Sequence, residues 1–471
     1  DLDNTPKRID ILLTVRVTDQ KFGDGLKMRN SVLQQDANSP GTTSTTSNFI
    51  DLTLTEPLLV GEKTVVSTDH AGVEPNPPMN PPVIFELPGT TGSAPWNSGT
   101  TPINSDYLDA NPLGSGIGGI DGGDMVKFAI VIENTGSGIN GAYDITLRDI
   151  LPAGYIFPGL GLGGFNLQVY RGDGRALDDG TGSGLEFLGT VAEPGPDGLT
   201  GTADDFFGAG IRLKDPSANP AFVPSDPEYG HGLCQLHEAA SGKNVIIVTY
   251  DLMVRPDIAP GTVLQNRGQV TNYSGSEGGT PYIPGPIESS SDSEISVPAL
   301  QKQLTTTEVS GPGNDHTQAV IGEILTYTLT ATFLEGVTPV AQIVDTLDAG
   351  LAFVDLQSVT ASNPDTDLAG VADKGIYSSV MTFNGAGLCT NCTAGTNPLI
   401  ENNGNKITFD FGTLSNSDND NAVAETITIV YRVMVLNVVS NQSATTPLNN
   451  TAVLSWTGGS DTKSASPVAI V

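Results

Sequence analysis

Basic side chains are scarce in this sequence. Its 471 residues carry 21 Lys and Arg against 53 Asp and Glu, a formal charge of −32. A field of that sign repels nucleic-acid phosphates and anionic membrane surfaces, which excludes nucleic-acid binding as a role. Four histidines, with no Gly-x-Ser-x-Gly and no P-loop, leave no hydrolytic triad or nucleotide site to build, so the chain reads as a non-enzyme. No apolar run reaches the roughly 18 residues of a membrane span, so insertion into a membrane is not expected. Three cysteines cannot frame a disulfide-stapled fold. Cys389 and Cys392, in Gly387-Leu388-Cys389-Thr390-Asn391-Cys392, are spaced for a small local bridge that leaves Cys234 over.

Glycine and proline are plentiful instead, 56 and 32 residues, and with abundant Thr, Ser and Val they predict many short strands joined by turns. The expected fold is all-β, built of tandem antiparallel sandwiches. One pattern recurs three times, an alternating strand followed by an Asn-containing strand. The first copy has Ile9, Ile11, Leu13, Val15 and Val17 on one face, then Leu26 to Val32. The second has Ile246, Val248, Tyr250, Leu252 and Val254, then Val263 to Val270. The third has Ile427, Ile429, Tyr431, Val433 and Val435, then Pro447 to Leu454. Period-2 alternation over nine residues predicts half-buried antiparallel strands.

Further landmarks precede the second and third copies. Gly123-Asp124 and Gly322-Glu323 each open an apolar strand, and Asp149-Ile150-Leu151 and Asp345-Thr346-Leu347 each lead into a turn. Pro57 and Pro298 stand upstream, followed by Lys63 and Lys302. These landmarks divide the chain into the closing strands of an incomplete domain (1–52), a sandwich at 53–297 with insertions at about 74–122 and 160–240, and a second sandwich at 298–471. The insertions are rich in Pro, Gly and Asp and are expected to decorate the surface as loops.

Gly-Glu-x-x-x-Tyr-x-Leu from Gly322, Val-Asp-Thr-Leu-x-x-Gly-Leu around Asp345 and Asn-Asn-Thr-Ala-Val around Asn450 resemble the conserved-repeat, immunoglobulin-like domains of bacterial and archaeal surface proteins. They also resemble the related isopeptide-forming fimbrial domains. The resemblance covers most of the chain outside the insertions. It implies an extracellular, cell-surface stalk, fibre or adhesin, with autocatalytic joining of a first-strand Lys to a last-strand Asn beside a carboxylic acid. Carried over by position, the candidates are Lys302, Asp345 and Asn450, and Lys63, Asp149 and Asn266. Lys63 stands two residues farther from its Pro than Lys302 does, which keeps its face but shifts its expected level. Read without the resemblance, the same lysines are solvated strand ends, the aspartates cap turns and the asparagines bridge loops.

Asp197, Asp204 and Asp205 gather hard oxygen ligands on Gly-rich loops where calcium would fit, although the spacing is not that of an EF-hand. A solvated acidic turn is the other reading, and no cofactor is required by either. Arg171-Gly172-Asp173 reads as an integrin-type tripeptide, a pattern that arises easily by chance in such an insertion. Residues 9–32 are read as final strands whose earlier partners are missing, so the stripe from Ile9 to Val17 needs a complement from upstream sequence or from another copy of the chain. Head-to-tail strand complementation into a filament is the expected function. The alternative is an adhesin that binds glycans or a host surface through the insertions of 53–297.

Overall fold

The computed structural model describes residues 9–18, 20–37, 41–77, 102–111, 113–114, 116–283, 285–309, 317–364, 375–383, 389, 391–418, 424–442 and 447–471. The fold is all-β. The principal strands are β1 (Lys27–Ala37), β2 (Thr43–Thr53), β3 (Leu59–Thr68), β4 (Met125–Asn134), β5 (Tyr143–Ile150), β6 (Val245–Val254), β7 (Val263–Ser274) and β8 (Ile287–Ile295). They continue with β9 (Ala299–Thr307), β10 (Ile324–Phe333), β11 (Gly336–Leu347), β12 (Leu351–Ala361), β13 (Lys406–Asn416), β14 (Glu425–Val435), β15 (Asn450–Trp456) and β16 (Gly459–Ser464).

Two sandwiches follow from the pairing. In the first, one sheet begins β3-β4-β6 and the facing sheet contains β5-β7-β8. In the second, the sheet β9-β10-β14-β12 faces one containing β13-β11-β15-β16. Each encloses its own apolar core, one drawn from Leu59 to Ile295 and the other from Leu300 to Ile470. The β14 strand alternates buried residues with half-buried or exposed ones, with Ile427, Ile429, Tyr431, Val433 and Val435 turned inward, as a sheet with one solvated face requires.

β6 departs from that pattern. Nine of its ten residues are buried, because the insertions cover its outer face. Ile103 and Tyr170 pack there against Ala129, Val131, Val245 and Ile247. The insertion expected as loops is therefore part of the sandwich. Gln168–Arg171 and Ala176–Asp178 extend the β6 sheet, and Ile211–Leu213 and Leu185–Phe187 extend the β5 sheet. Strands of three or four residues carry too little periodicity to be seen in a sequence.

The N-terminal reading needs correction. Ile9, Ile11, Leu13, Val15 and Val17 form no strand, and all five are exposed, from 47 to 86%. β1 pairs along its whole length with β2 of the same chain, from Lys27 opposite Thr53 to Ala37 opposite Thr43. Alternation alone does not make a strand; a neighbour for the backbone does. The base of this hairpin is tied to the first sandwich, since the Glu56 carboxylate accepts from the amides of Phe22 and Gly23 at 2.8 and 2.9 Å. Among the described residues no helix is long and apolar enough to cross a membrane.

Candidate functional site

Each sandwich carries, between its sheets, one lysine, one aspartic acid, one tyrosine and one asparagine in the same relative register. Lys63 lies on the edge strand β3 opposite Ile130, and Lys302 on the edge strand β9 opposite Leu329. Those partners stand at equal distances beyond Gly123 and Gly322, so the two lysines are level with one another in their sheets. The shift inferred from their prolines is thus corrected: one extra residue precedes β3 at Leu59, and the other lies within the strand, where Lys63 is fifth and Lys302 is fourth in β9.

The acids and amides come from the facing sheets. Asp149 on β5 stands opposite Gly268 of β7, and Asp345 on β11 opposite Ala452 of β15. Asn266 and Asn450 follow two residues back along those partner strands, on the same face. Gly268 has a local reason: a Cβ there would stand 2.7 Å from Ile130 Cδ1 and 3.6 Å from Lys63 Cδ.

In the second sandwich Lys302 Nζ lies 2.5 Å from Asp345 Oδ2 and contacts Asn450 Oδ1 directly. The Tyr431 hydroxyl donates to Asp345 Oδ2 at 2.5 Å and accepts from Asn450 Nδ2 at 3.0 Å. In the first, Lys63 Nζ contacts both Asp149 Oδ2 and the Tyr250 hydroxyl. Tyr250 donates to Asp149 Oδ2 at 2.7 Å and accepts from Asn266 Nδ2 at 3.1 Å. Among the described residues Asn266 Oδ1 is buried with no hydrogen-bond partner, as are Asp149 Oδ1 and Asp345 Oδ1.

Both sites are closed to water. The side chains of Lys63, Asp149, Lys302 and Asp345 are 0% exposed. Aromatic rings wall them: Phe128 stacks on Tyr250 at 5.6 Å, and Tyr327 on Tyr431 at 5.9 Å. Burial lowers both lysine amines to about 8, against the pull of Asp149 and Asp345. Burial likewise raises both aspartic acids, although the neighbouring amine acts to lower them. Burial thus pushes the amine and the carboxyl each toward its neutral form.

Tyr250 and Tyr431 were not picked out as site residues from the sequence. The signal was present, since each is the one aromatic in an otherwise aliphatic inward face, at the same place in two copies of the repeat. Both hydroxyls are raised well above the ordinary tyrosine value, first by burial and then by the adjacent aspartate.

The other candidates fall elsewhere. Asp204 and Asp205 sit buried in the short helix Ala203–Phe207 and hold backbone amides. Asp205 accepts from Gly189, Gly195 and Gly201, Asp204 accepts from Asp197, and the Asp197 side chain accepts from Leu199. Arg171 is 1% exposed and paired with Asp173 and Glu228, which removes the arginine of the tripeptide from the surface. Cys389 and Cys392 form a disulfide with Cα atoms 5.3 Å apart. Cys234 is free and buried, its thiol pushed up to about 12 by burial, and it donates to the Asn244 carbonyl at 3.1 Å.

No family model and no curated protein matches the sequence. Among solved structures the chain is similar to the major pilin subunit of Bacillus cereus, at 10% identity over 50% of this chain and 61% of that one, with a TM-score of 0.23. It is also similar to the full-length major pilin of Corynebacterium diphtheriae, at 11% identity over 48% and 49% of the two chains and a TM-score of 0.22. A third likeness is the collagen-binding domain of an Erysipelothrix rhusiopathiae surface protein, at 10% identity over 75% and 91% and a TM-score of 0.20. The chain thus spans 61% and 49% of the two pilins that it resembles.

Proposed function

We propose that this chain is a structural segment of an extracellular surface filament or stalk, and that each sandwich is locked by a Lys–Asn isopeptide bond. The observation that carries the reading is the duplicated, water-excluded site, which places an amine, a carboxyl and a carboxamide together between sheets in the same register twice. In the second sandwich the neutral Lys302 amine attacks Cγ of Asn450 while the protonated Asp345 carboxyl polarises the carboxamide. Asp345 then relays the amine proton to the departing nitrogen, which leaves as ammonia. Lys63, Asp149 and Asn266 do the same in the first. No bond is made to anything outside the chain, so this is self-modification and not turnover. The strong negative charge and the Cys389–Cys392 disulfide suit the oxidising exterior of a cell.

Intact mass tests the proposal. Each bond removes one ammonia, so native full-length chain should weigh about 34 Da less than its sequence beyond the disulfide's own loss. Digests should retain the pairs Lys302–Asn450 and Lys63–Asn266. A mass deficit from the disulfide alone, in folded protein, would reject both bonds.

Assembly is proposed to proceed head to tail through residues 9–53, which expose Ile9, Leu12, Val32, Leu33 and Ile50. An adhesin role is the second reading, favoured by a cleft of about 260 Å³ that the inserted helix Ser105–Ala110 forms with β3 and β4, lined by Val60, Glu62, Asp109, Leu113 and Glu133. Saturable glycan binding that Asp109→Ala weakens, without any change in mass, would favour it.

A further inference from the structure

A second cluster lies where the two sandwiches meet, and the isopeptide reading does not use it. The turn Asp121-Gly122-Gly123-Asp124 joins the strand Ile117–Ile120 to β4, and His70 lies two residues beyond Thr68, the end of β3. Among the described residues, His70, Asp121 and Asp124 are the three side chains whose metal-ligand atoms lie within 4.8 Å of one another. His70 Nδ1 is 2.9 Å from Asp124 Oδ2 and 3.7 Å from Asp121 Oδ1. Donors bound to one ion at about 2.0–2.2 Å stand roughly 3–3.6 Å apart, so these spacings need little adjustment to close on a cation.

The carboxylates hold an independent sign of a missing partner. Asp121 and Asp124 are 3% and 1% exposed, and Oδ1 of each is buried without a hydrogen-bond partner among the described residues. Their other oxygens are engaged: Asp124 Oδ2 accepts from the Asp121 amide at 2.7 Å, and Asp121 Oδ2 from the Glu335 amide at 3.3 Å. Leaving buried carboxylate oxygens bare is costly, and Glu335, itself buried, brings a further acid from the second sandwich. His70 keeps 16% of its side chain exposed, which gives an ion a way in.

We propose that His70, Asp121 and Asp124 form a site for a first-row divalent metal ion of the zinc class at the junction of the two sandwiches. The imidazole decides the class, because calcium and magnesium take oxygen donors almost exclusively, whereas one nitrogen and two carboxylates suit zinc with a position left for water. The ion has a mechanical consequence. The same turn donates its Gly122 amide to the Glu335 carbonyl at 3.1 Å, and a Cβ at Gly122 would crowd Gly336 Cα at 3.0 Å. Metal held by Asp121 therefore fixes the loop against which the second sandwich seats.

The test uses full-length chain stripped with chelator and titrated with Zn²⁺, with Ca²⁺ and Mg²⁺ as controls. Native mass spectrometry should count one tightly held zinc per chain, and calorimetry should show the melting transition rising with zinc by mass action. Asp124→Asn and His70→Gln should each weaken binding at least tenfold; His70→Gln, lying outside the core, guards against a folding artefact. Binding of zinc that neither substitution weakens, or no zinc bound at all, would overturn the proposal. Calcium bound through these residues in preference to zinc would overturn the class of metal, and melting that zinc leaves unchanged would show that the junction holds without a metal and overturn the proposal.

Discussion

At the scale of the residue, the chemistry turns on burial, which pushes the Lys302 amine and the Asp345 carboxyl each toward its neutral form while the pairing of the two opposes it. Neither side chain is remarkable for its type, and sequence position alone leaves Lys302 equally readable as a solvated strand end. Its 0% exposure, and the contact of its Nζ with the Asn450 carboxamide oxygen, favour the reactive reading. Asp345→Ala should therefore abolish the link in the second sandwich. In the chain-entropy view the unfolded chain then regains a loop with a separation of 148 residues, on the order of 5 kcal/mol. The variant should also acquire a pH dependence. Without Asp345 nothing offsets the burial that lowers the Lys302 amine, so its folded value falls further below the unfolded 10.5. Between those values the unfolded chain binds more protons, and stability rises with pH. Chemical denaturation at several pH values from neutrality to about 10 should show that rise in Asp345→Ala. It should be absent when Lys302→Met is added. A flat profile in the single variant would mean that Lys302 is solvated once its partner is gone.

At the scale of the element, the strands with tertiary reasons to exist were the ones the sequence announced. Alternation over 246–254 and 427–435 corresponds to β6 and β14, because both sit in the middle of their sheets and turn their alternating residues onto the core between the sheets. The same alternation over 9–17 fails for want of a partner strand. The insertion at 160–240 was illegible for the opposite reason: its short strands are defined by long-range pairing and by aspartates that collect backbone amides. That insertion also seals the first site, since Phe206 and Phe207 pack on Tyr250 with centroids 5.2 and 5.8 Å away. Asp205 holds their short helix in place through the amides of Gly189, Gly195 and Gly201. Asp205→Ala should free those amides, admit water beside Tyr250 and slow the bond between Lys63 and Asn266. Intact mass should resolve a population lighter by only one ammonia, with the Lys302–Asn450 peptide still linked. Complete formation of both bonds in Asp205→Ala would show that the insertion is no part of the seal.

At the scale of the whole molecule, the question is what covers the N-terminal region. A two-stranded hairpin on its own is marginal in water, and every residue of β1 and β2 is exposed. Its outer edges offer unpaired backbone, and Val32, Leu33, Phe49 and Ile50 stand 54 to 70% exposed on its surface. Glu56 and Asp24 nevertheless fix where the hairpin leaves the first sandwich: Asp24 accepts from the Glu56 amide at 2.9 Å and from the Ser137 amide at 3.1 Å. A fixed base with open edges presents the hairpin in a defined direction, as a heterologous contact needs if it is to repeat without closing. Deleting residues 1–50 should therefore abolish filaments, leaving monomers by light scattering and electron microscopy. Both proposed bonds lie beyond the deletion, so a mass deficit of about 34 Da should persist in the truncated chain. Substituting charged residues for Leu33 and Ile50 should weaken assembly in the full chain without touching either bond. Filaments that form equally well without residues 1–50 would move the assembly surface elsewhere, while the proposal of cross-linked sandwiches would stand unaffected.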